Sequence, residues 1–453
     1  MTSISGHRRV LFLAVGDLIA YIFSLILTLT VRYGSLPHRS LFYDHIPSFA
    51  ILFVLFLLIS FSAGLYDKQL VVLRGRIEGL LLRVQAINFL IGIVFFYFAP
   101  VLIAPKANLF IYIIISTVTL FVWRRIMFPV VTVSRKQVAI IVGAGEDIAD
   151  LFEEINTAGR YEIIFEERIE PSDSVNEMVG RISEAVNKNK ASVIVANLHD
   201  PRVEAAIPFL YSLIFSGVQI IDAGKIYESI FDRIPLSMVG KRWLIENSGT
   251  ALGNRRTYDI LKRFVDIVIG SILGIISLVF YPLVYLAIRF DDRGPLIITQ
   301  DRTGKNGRHI RMTKFRSMNA DDGGAYKHNG GKTALKITKV GRFIRLTRID
   351  ELPQLWSVVK GDQSLIGPRP ELPALVKIYE KEIPYYNVRH LIKPGLSGWA
   401  QISHKAHPHH AVAIDDTRDK LSYDLYYVKN RSFTLDTRIA LQTVKSILSK
   451  QGV

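Results

Sequence analysis

The chain has 453 residues, a formal net charge of +16 and no cysteine. Hydrophobic residues make up 49% of it, and its mean hydropathy is +0.26. This length allows two or three domains, whereas the missing thiols exclude disulfide frameworks, cysteine-ligated zinc and thiol catalysis. Because the apolar residues are unevenly distributed, we expect membrane segments. In such a chain the basic excess indicates cytoplasmic loops and phosphate-bearing partners rather than nucleic acid.

Four apolar runs predict a transmembrane four-helix region over residues 1–135. The runs cover about 10–32, 46–66, 84–105 and 107–123, and about 20 apolar residues span the hydrocarbon core of a bilayer. Arginines and lysines concentrate before the first run, between the second and third, and after the fourth. The positive-inside rule therefore places the N-terminus and everything after residue 135 in the cytoplasm.

An acidic residue, Asp17, lies within the first run. An ionisable group in the hydrocarbon core is costly, so it has either a function or a partner. We expect a partner, reached by snorkelling to the interface or through a buried pair between helices.

Residues 136–250 predict a Rossmann-like α/β domain. The segment KQVAIIVGAGEDIADLFEEI indicates a strand, a glycine turn and a helix, and ASVIVAN and GVQIIDA indicate further buried strands. Gly143 and Gly145 match a dinucleotide fingerprint, but Ile148 replaces its third small residue. The acidic residue expected after the second strand is ambiguous among Glu166, Glu167 and Glu170. We therefore expect a scaffold, regulatory or dimerisation domain without a bound cofactor, and a homodimer is one such assembly.

A fifth apolar run, residues 267–288, contains no charge and has basic residues on both flanks, so both of its ends prefer the cytoplasm. Pro282 removes a backbone donor and clashes with the preceding turn, which breaks a helix partway. These features favour a re-entrant helix over residues 264–290 that enters and leaves one leaflet. On these residues alone, a proline-kinked span stays open.

Four motifs follow this run. KFRSM (314–318) predicts a short strand in which Lys314 and Arg316 flank an apolar anchor, and RIDELPQLW (348–356) contains the adjacent carboxylates Asp350 and Glu351. GPRPE (367–371) holds Arg369 between two prolines, which restrict the backbone around a guanidinium suited to phosphate. KPGLSGWAQ (393–401) predicts a loop that faces substrate or membrane. Each motif alone has an ordinary explanation as an edge strand, a solvated pair or a rigid loop.

Together, in this order, the motifs resemble those of the bacterial sugar transferases, the monotopic phosphoglycosyl transferases. The similar stretches are KRFVDIVIG (262–270), KFRSM (314–318), KVGRFIRLTRIDELPQLWSVVKGDQSLIGPRPE (339–371) and RHLIKPGLSGWAQ (389–401). With four membrane helices and a Rossmann-like domain ahead of it, the chain resembles the large form of these enzymes. That form initiates exopolysaccharide, capsule or O-antigen synthesis.

The resemblance implies an α/β catalytic domain over residues 255–453, with a re-entrant helix broken at Pro282. It implies transfer of a sugar-1-phosphate from a UDP-sugar to undecaprenyl phosphate, with release of UMP and with magnesium, at the cytoplasmic face of the bacterial inner membrane. Asp350 then forms a covalent phosphosugar intermediate, and Glu351 binds magnesium or assists proton transfer. A cytoplasmic catalytic domain also favours the re-entrant helix over a crossing.

The residue types suit this chemistry. A carboxylate is ionised at neutral pH and needs no base before it attacks phosphorus, and magnesium prefers hard oxygen ligands. On chemical grounds Lys314, Arg316 and Arg369 neutralise charge on the transferring phosphoryl group.

Two departures from the family pattern leave the reaction class unchanged, and only the second, in the loop after GWAQ, bears on donor specificity. Arg348 stands where the family often has serine, and ISHKAHPHH follows GWAQ where an Asn-Gly-Arg-type loop is usual, so the donor sugar stays open. We expect polar loops at residues 319–333 and around a histidine group that mimics a metal site, which comprises His404, His407, His409, His410, Asp415 and Asp416.

The main alternative is a non-catalytic membrane scaffold or sensor for polysaccharide assembly. Loss of the Asp-Glu pair or of GPRP would favour it, and both are present. A membrane-anchored dehydratase or epimerase needs a Tyr-x-x-x-Lys pair in the α/β domain. The residues four positions after the tyrosines of that domain are Phe165, Phe215 and Phe231.

Overall fold

The computed structural model describes residues 3–63, 65–66, 77–98, 106–131, 136–158, 161, 163–248, 255–291, 294–318, 337–403 and 414–448. The chain divides into two compact units, Met1–Ile230 and Phe231–Val453. The boundary between the units lies earlier than the predicted one at 250–255. The reason is that Ile234 and Trp243 pack into a core of the second unit, against Val376 and Leu425.

The first unit begins with four long helices: α1 (Ser3–Tyr33), α2 (Arg39–Ser62), α3 (Ile77–Phe98) and α4 (Lys106–Val131). Among the described residues these four are long and apolar enough to cross a membrane, which confirms four candidate spans. Their shared core is aromatic and includes Tyr21, Phe49, Phe53, Phe56 and Tyr112.

A buried ion pair joins α1 to α4. Asp17 and Arg124 are 2% and 4% exposed, and Arg124 donates from Nε to Asp17 Oδ1 at 2.9 Å and from Nη2 to Oδ2. The Tyr66 hydroxyl donates to the same Oδ2 at 2.8 Å, and Arg124 Nη1 donates to the carbonyl oxygen of Leu65 at 3.1 Å. The acidic residue of the first run therefore forms a buried pair between helices and does not snorkel.

Removing one partner of this pair leaves an uncompensated charge inside the bundle. We expect Arg124→Met to lower the free energy of unfolding by about 3–5 kcal/mol, measured by unfolding in mixed micelles. Arg125→Met, at the exposed neighbouring position of the same helix, is the control and should cost far less. Equal effects of the two substitutions would contradict the structural role of the pair.

An α/β layer follows in the first unit. Its elements are β1 (Gln137–Val142), α5 (Glu146–Ala158), β2 (Ile163–Ile169), α6 (Val175–Asn189), β3 (Val193–Ala196), α7 (Pro201–Ala205), α8 (Ile207–Phe215), β4 (Gln219–Asp222) and α9 (Ala223–Phe231). The described strands form a parallel sheet in the order β2-β1-β3-β4. β3 is buried along its whole length, as its continuous apolar run predicts.

The glycine turn after β1 is filled by a side chain. Ile148 is fully buried, and its Cδ1 atom lies 2.9 Å from the position that a Cβ atom on Gly143 would take. Glu166 and Glu167 lie within β2, and Glu170 follows it directly. The branched residue at the third fingerprint position therefore occupies space close to the turn.

The second unit contains α10 (Lys241–Ser248), α11 (Arg256–Ser277), α12 (Phe280–Asp291), β5 (Ile297–Thr303), β6 (His309–Phe315), α13 (Lys339–Leu346), α14 (Gln354–Lys360), β7 (Ser364–Ile366), α15 (Pro373–Glu382), β8 (Gly395–Ser397), α16 (Trp399–Ser403), α17 (Ile414–Asn430) and α18 (Phe433–Leu448). β5 and β6 form an antiparallel hairpin, and β7 pairs with β8 in parallel. This unit is the expected α/β C-terminal domain.

The fifth apolar run is a broken helix. α11 and α12 are bent by 50° at the two residues between them, Leu278 and Val279. Pro282 lies in the first turn of α12, where its missing N–H is tolerated, and its ring would clash with the carbonyl group four residues earlier in an unbroken helix. The break therefore precedes the proline by one turn.

α11 is fixed to α14 by close packing and two hydrogen bonds. The Cβ positions of Gly270 and Gly274 would lie 3.3 Å and 3.4 Å from side-chain atoms of Val358 and Trp356. The guanidinium of Arg263 donates to the carbonyl oxygens of Val358 and Val359, each at 2.6 Å. The apolar helix is thus attached to the helix that follows the Asp-Glu pair.

Candidate active site

The two carboxylates lie in a short 3-10 turn, Ile349–Glu351, between α13 and α14. Arg348 precedes the turn in a left-handed conformation, with φ of 59°, and separates the turn from α13. Asp350 is 8% exposed. The local sequence thus ends one helix and begins another with both acids at the junction.

Glu351 is surrounded by three cations. Its Oε1 atom accepts from Arg369 Nη2 at 3.0 Å and from Lys314 Nζ at 3.4 Å, and its Oε2 atom lies 3.7 Å from Arg348 Nη1. Burial opposes the charged form of Glu351, but Arg369, Lys314 and Arg348 together outweigh it and lower the pKa of this carboxyl to about 2. Glu351 is therefore an anion at every physiological pH.

Asp350 has the opposite environment. Burial and the neighbouring charge of Glu351 raise the pKa of Asp350 to about 6, against the opposing effects of Lys314, Arg345 and Arg348. Adjacent acids whose pKa values are driven apart take different chemical roles. The geometry makes Asp350 the more basic carboxylate of the two and Glu351 the permanently charged one.

The alternation of side chains along β6 directs Lys314 toward the carboxylates of Asp350 and Glu351. Phe315, the last residue of β6, is fully buried and packs on Tyr281 with ring centroids 4.8 Å apart. Because successive side chains of a strand point to opposite faces, Lys314 points the other way, toward Glu351. The predicted combination of a cation and an apolar anchor is present.

Arg316 is placed elsewhere. Its side chain is 5% exposed and packs on Gly294, and its backbone N–H donates to the carbonyl oxygen of Leu296 at 2.9 Å. Burial lowers the pKa of Arg316, and the carboxylate that opposes this effect belongs to Asp291. β6 ends at Phe315, so the alternation that would turn Arg316 toward Glu351 ends there too. The structure brings Lys314 and Arg369 to the carboxylates and does not bring Arg316.

Arg369 is held in place by two loops and a buried ion pair. Gly367 N donates to Ser397 O at 2.9 Å, and Gly395 N donates to Pro368 O at 3.0 Å. Arg389 Nη2 donates to the carbonyl oxygen of Arg369 at 2.8 Å. The same Nη2 atom lies 2.7 Å from Asp424 Oδ2, and both side chains of this pair are almost fully buried.

Sequence reasoning missed the roles of Arg348, Arg345 and Arg389. For Arg348 a signal existed, because the spacing of Arg348 and Glu351 is i,i+3. For Arg389 there was none, because its partner Asp424 lies 35 positions further along the chain. The expectation that the KPGLSGWAQ loop faces substrate or membrane is wrong for Trp399, which is 3% exposed and donates from Nε1 to the carbonyl oxygen of Asp232 at 2.8 Å.

The four histidines of the predicted group and the glycine-rich loop lie outside the described residues, in the gaps 404–413 and 319–336. Asp415 and Asp416 are in the first turn of α17. In the described part of the chain no three acidic or histidine side chains are grouped as a metal site.

Comparison with known proteins places the second unit in a family. The family model described as bacterial sugar transferase matches residues 257–450. The exopolysaccharide production protein PSS of Rhizobium leguminosarum bv. phaseoli is 37% identical over 196 residues, which cover 42% of this chain and 96% of that protein. The chain belongs to the bacterial sugar transferase family.

Larger relatives are matched over part of their length. The UDP-N-acetylgalactosamine-undecaprenyl-phosphate N-acetylgalactosaminephosphotransferase of Aeromonas hydrophila is 37% identical over 265 residues, 57% of this chain and 59% of that protein. The UDP-glucose:undecaprenyl-phosphate glucose-1-phosphate transferase of Klebsiella pneumoniae is 33% identical over 194 residues, 43% of this chain and 41% of that protein. The matched part of this family member therefore spans about half the length of these two relatives.

The close contact between the GPRPE and KPGLSGWAQ loops predicts that a larger residue at Gly395 destabilises this sugar transferase. A Cβ atom on Gly395 would lie 2.1 Å from the backbone nitrogen of Gly367, which cannot move aside cheaply. We expect Gly395→Ala to lower the free energy of unfolding by about 1–3 kcal/mol or more, measured by thermal unfolding. Gly240→Ala is the control, because nothing lies within 4 Å of its Cβ position. Equal melting temperatures for the two variants would contradict the tight contact.

Proposed function

We propose that the chain is a phosphoglycosyl transferase that moves a sugar-1-phosphate from a UDP-sugar to undecaprenyl phosphate and releases UMP. The observation that carries the proposal is a buried Asp350 beside a Glu351 that lies within 3.0–3.7 Å of three cationic side chains. The names of the Aeromonas and Klebsiella relatives state the same kind of transfer with different sugars. Because these relatives differ in their sugars, their names do not fix the donor sugar of this chain. In the proposal, the reaction is the first membrane step of polysaccharide or glycoconjugate synthesis.

In the first step, an Oδ atom of Asp350 attacks the phosphorus atom that carries the sugar. The bond between this phosphorus and the oxygen of UMP breaks, and UMP leaves with the electron pair. In the second step, a phosphate oxygen of undecaprenyl phosphate attacks the same phosphorus and expels the Asp350 carboxylate. The product is undecaprenyl diphosphate-sugar, and Asp350 is regenerated.

The surroundings of Asp350 support this role. A raised pKa makes the carboxylate a stronger nucleophile while it stays largely ionised at neutral pH. Lys314 and Arg369 both donate hydrogen bonds to Glu351, so they are positioned to bind the diphosphate oxygens of a donor placed next to this carboxylate. Such fixed cations stabilise the charge that spreads over the transferring phosphoryl group.

A magnesium ion is part of the proposal, with Glu351 as its protein ligand. Glu351 Oε1 accepts hydrogen bonds from two cations, whereas Oε2 makes the longer 3.7 Å contact with Arg348 and is the oxygen that suits a metal. Magnesium keeps several waters and takes one or two carboxylates plus substrate phosphates, so these residues fit it. When bound, the ion would neutralise charge on the diphosphate.

We further propose a location at the cytoplasmic face of the bacterial inner membrane. The bend at Leu278 and Val279, together with basic residues on both flanks, supports a re-entrant helix. The parallel β2-β1-β3-β4 sheet supports a Rossmann-like domain. With Ile148 against its glycine turn, we assign this domain to scaffolding, regulation or homodimer formation rather than to a cofactor.

The covalent step is tested by substitution and by direct detection. We expect Asp350→Asn and Glu351→Gln each to reduce UMP release at least about a thousandfold across a panel of UDP-sugars, because the nucleophile or its charged neighbour is lost. Asp415→Asn is the control, because the side chain of Asp415 is 99% exposed. Rapid-quench mass spectrometry of the wild-type chain should show a phosphosugar on the peptide that contains Asp350. Near-normal turnover by Asp350→Asn would end the covalent mechanism.

The pH dependence of the first step follows from the raised pKa of Asp350. Attack requires the ionised form, so single-turnover UMP release without acceptor should fall as the pH drops through about 6, not through the ordinary aspartate range. Arg345 lowers the pKa of Asp350, so Arg345→Gln should move this limb to higher pH. Arg342→Gln, at an exposed position of the same helix, should leave it in place. A limb near pH 4 in the wild-type chain would contradict the proposed environment.

A further inference from the structure

An open groove lies between the β5–β6 hairpin and α14. Its volume is about 570 Å³, within the range of roughly 300–1,000 Å³ that small-molecule sites occupy. The hairpin lines one side of the groove, and Trp356, Ser357 and Lys360 of α14 line the other. The two carboxylates of the candidate active site are not part of this lining, so the groove is a separate feature of the second unit.

Four polar side chains of the hairpin line the groove as two cross-strand pairs. Thr299 is paired with Thr313, and Asp301 is paired with Arg311, in the register of β5 and β6. Because successive side chains of a strand point to opposite faces, the β6 members of these pairs point away from the active-site lysine of that strand. The groove and the candidate active site therefore lie on different faces of the hairpin.

This polar surface has the size and the hydrogen-bonding groups that suit a sugar. Cross-strand partners are about 5 Å apart and second neighbours on one strand are about 7 Å apart, so the four side chains border an area close to that of one pyranose ring. In the part of the chain that the structure describes, Asp301 and Arg311 make no ion pair with each other, although they are partners in the hairpin. A carboxylate accepts, a guanidinium donates and threonine hydroxyls do both, which matches the hydroxyl groups of a sugar.

The other side of the groove presents a fixed aromatic ring. Three atoms of the six-membered ring of Trp356 lie 3.4 Å, 3.5 Å and 3.6 Å from the position that a Cβ atom on Gly274 of α11 would take. Trp356 is nevertheless 39% exposed and lines the groove. A ring whose orientation is already fixed by packing loses little conformational freedom when a ligand binds to it. The C–H faces of a pyranose are apolar, so this indole is a suitable surface for one of them.

The charges that line the groove cancel. Its carboxylates are Asp301 and Asp362, and its cations are Arg311 and Lys360. Lys360 pairs with Asp362 at 3.4 Å, with the lysine side chain largely exposed. A phosphate or an ammonium group bound here would meet charges of both signs, and an acyl chain would bury these polar groups without partners. The lining therefore favours a ligand that is polar and neutral.

We propose that the groove is a second sugar site, which binds one neutral pyranose ring. A C–H face of the ring lies on Trp356, and its hydroxyl groups bind Asp301 and Arg311. Membership of the bacterial sugar transferase family supports a sugar as the neutral ligand. The ring belongs to a soluble sugar or to a sugar carried on a lipid, and the site does not depend on the chemistry of Asp350.

The test uses the full chain in lipid nanodiscs, because maltoside and glucoside detergents carry the same kind of ring. The probes are the methyl α-pyranosides of glucose, galactose and N-acetylgalactosamine, and binding is followed by saturation-transfer difference NMR. We expect the ring protons of at least one probe to be saturated. Arg311→Gln should weaken its binding about tenfold, because a charge-assisted hydrogen bond is lost. Arg308→Gln, at an exposed position of the same hairpin outside the groove, is the matched control and should bind like the wild type.

The other outcomes are equally distinct. Equal binding by the wild type and Arg311→Gln, or saturation of no probe, would overturn the site, and displacement of the pyranoside by uridine would assign the groove to a base instead of a sugar. In the signal that depends on Arg311, tighter binding of an octyl pyranoside than of the methyl compound would identify a lipid-linked sugar, and equal binding would identify a soluble one. If Arg311→Gln fails to fold, Asp301→Asn gives the same comparison from an exposed position. Asp350→Asn should still bind the pyranoside, so failure of the proposed function, seen as absent UMP release by the wild-type chain, is separate from failure of this site.

Discussion

The candidate site depends on one ionic arrangement, the Glu351 carboxylate held by Lys314, Arg369 and Arg348. Three cations on one acid fix its charge, and this fixed charge acts in turn on the next residue, Asp350. Without this neighbour, burial alone would raise the pKa of Asp350, and three nearby cations would oppose that rise. With the neighbour in place, repulsion is added to burial, and Asp350 becomes a basic carboxylate inside an otherwise cationic site.

The cations arrive from three separate parts of the chain, and each is positioned by something different. The hairpin supplies Lys314 through strand alternation against a buried Phe315. The left-handed turn supplies Arg348. The GPRPE loop supplies Arg369, whose carbonyl group is bound by Arg389, which in turn pairs with Asp424 deep in the core. A buried ion pair is a poor source of stability compared with apolar packing. Here the Arg389–Asp424 pair orients the Arg389 guanidinium, which binds the carbonyl oxygen of Arg369 and fixes the position of the GPRPE loop.

Much of this could be read from the sequence because the signals were local. The four apolar runs, the strand with Phe315 as its anchor and the Asp-Glu pair all depend on residues that are neighbours in the chain. Arg389 and Asp424 could not be paired in advance, since nothing in their spacing relates them. For Arg316, the structure places the side chain on Gly294 and not beside Glu351. The strand ends at Phe315, and the position of the next side chain depends on contacts outside the strand. The domain boundary was displaced for a similar reason, because Trp243 is near the first unit in sequence but belongs to a core of the second.

In the proposed reaction, the attachment of α11 to α14 determines how two very different substrates reach one carboxylate. α14 begins three residues after Glu351 on the chain, and Arg263, Gly270 and Gly274 fix it along the apolar helix. If α11 lies in the bilayer as proposed, the depth of that helix in the membrane determines how far Asp350 lies from the hydrocarbon. The lipid acceptor then needs no carrier to lift it, since the reactive oxygen is held at the level where its phosphate already lies.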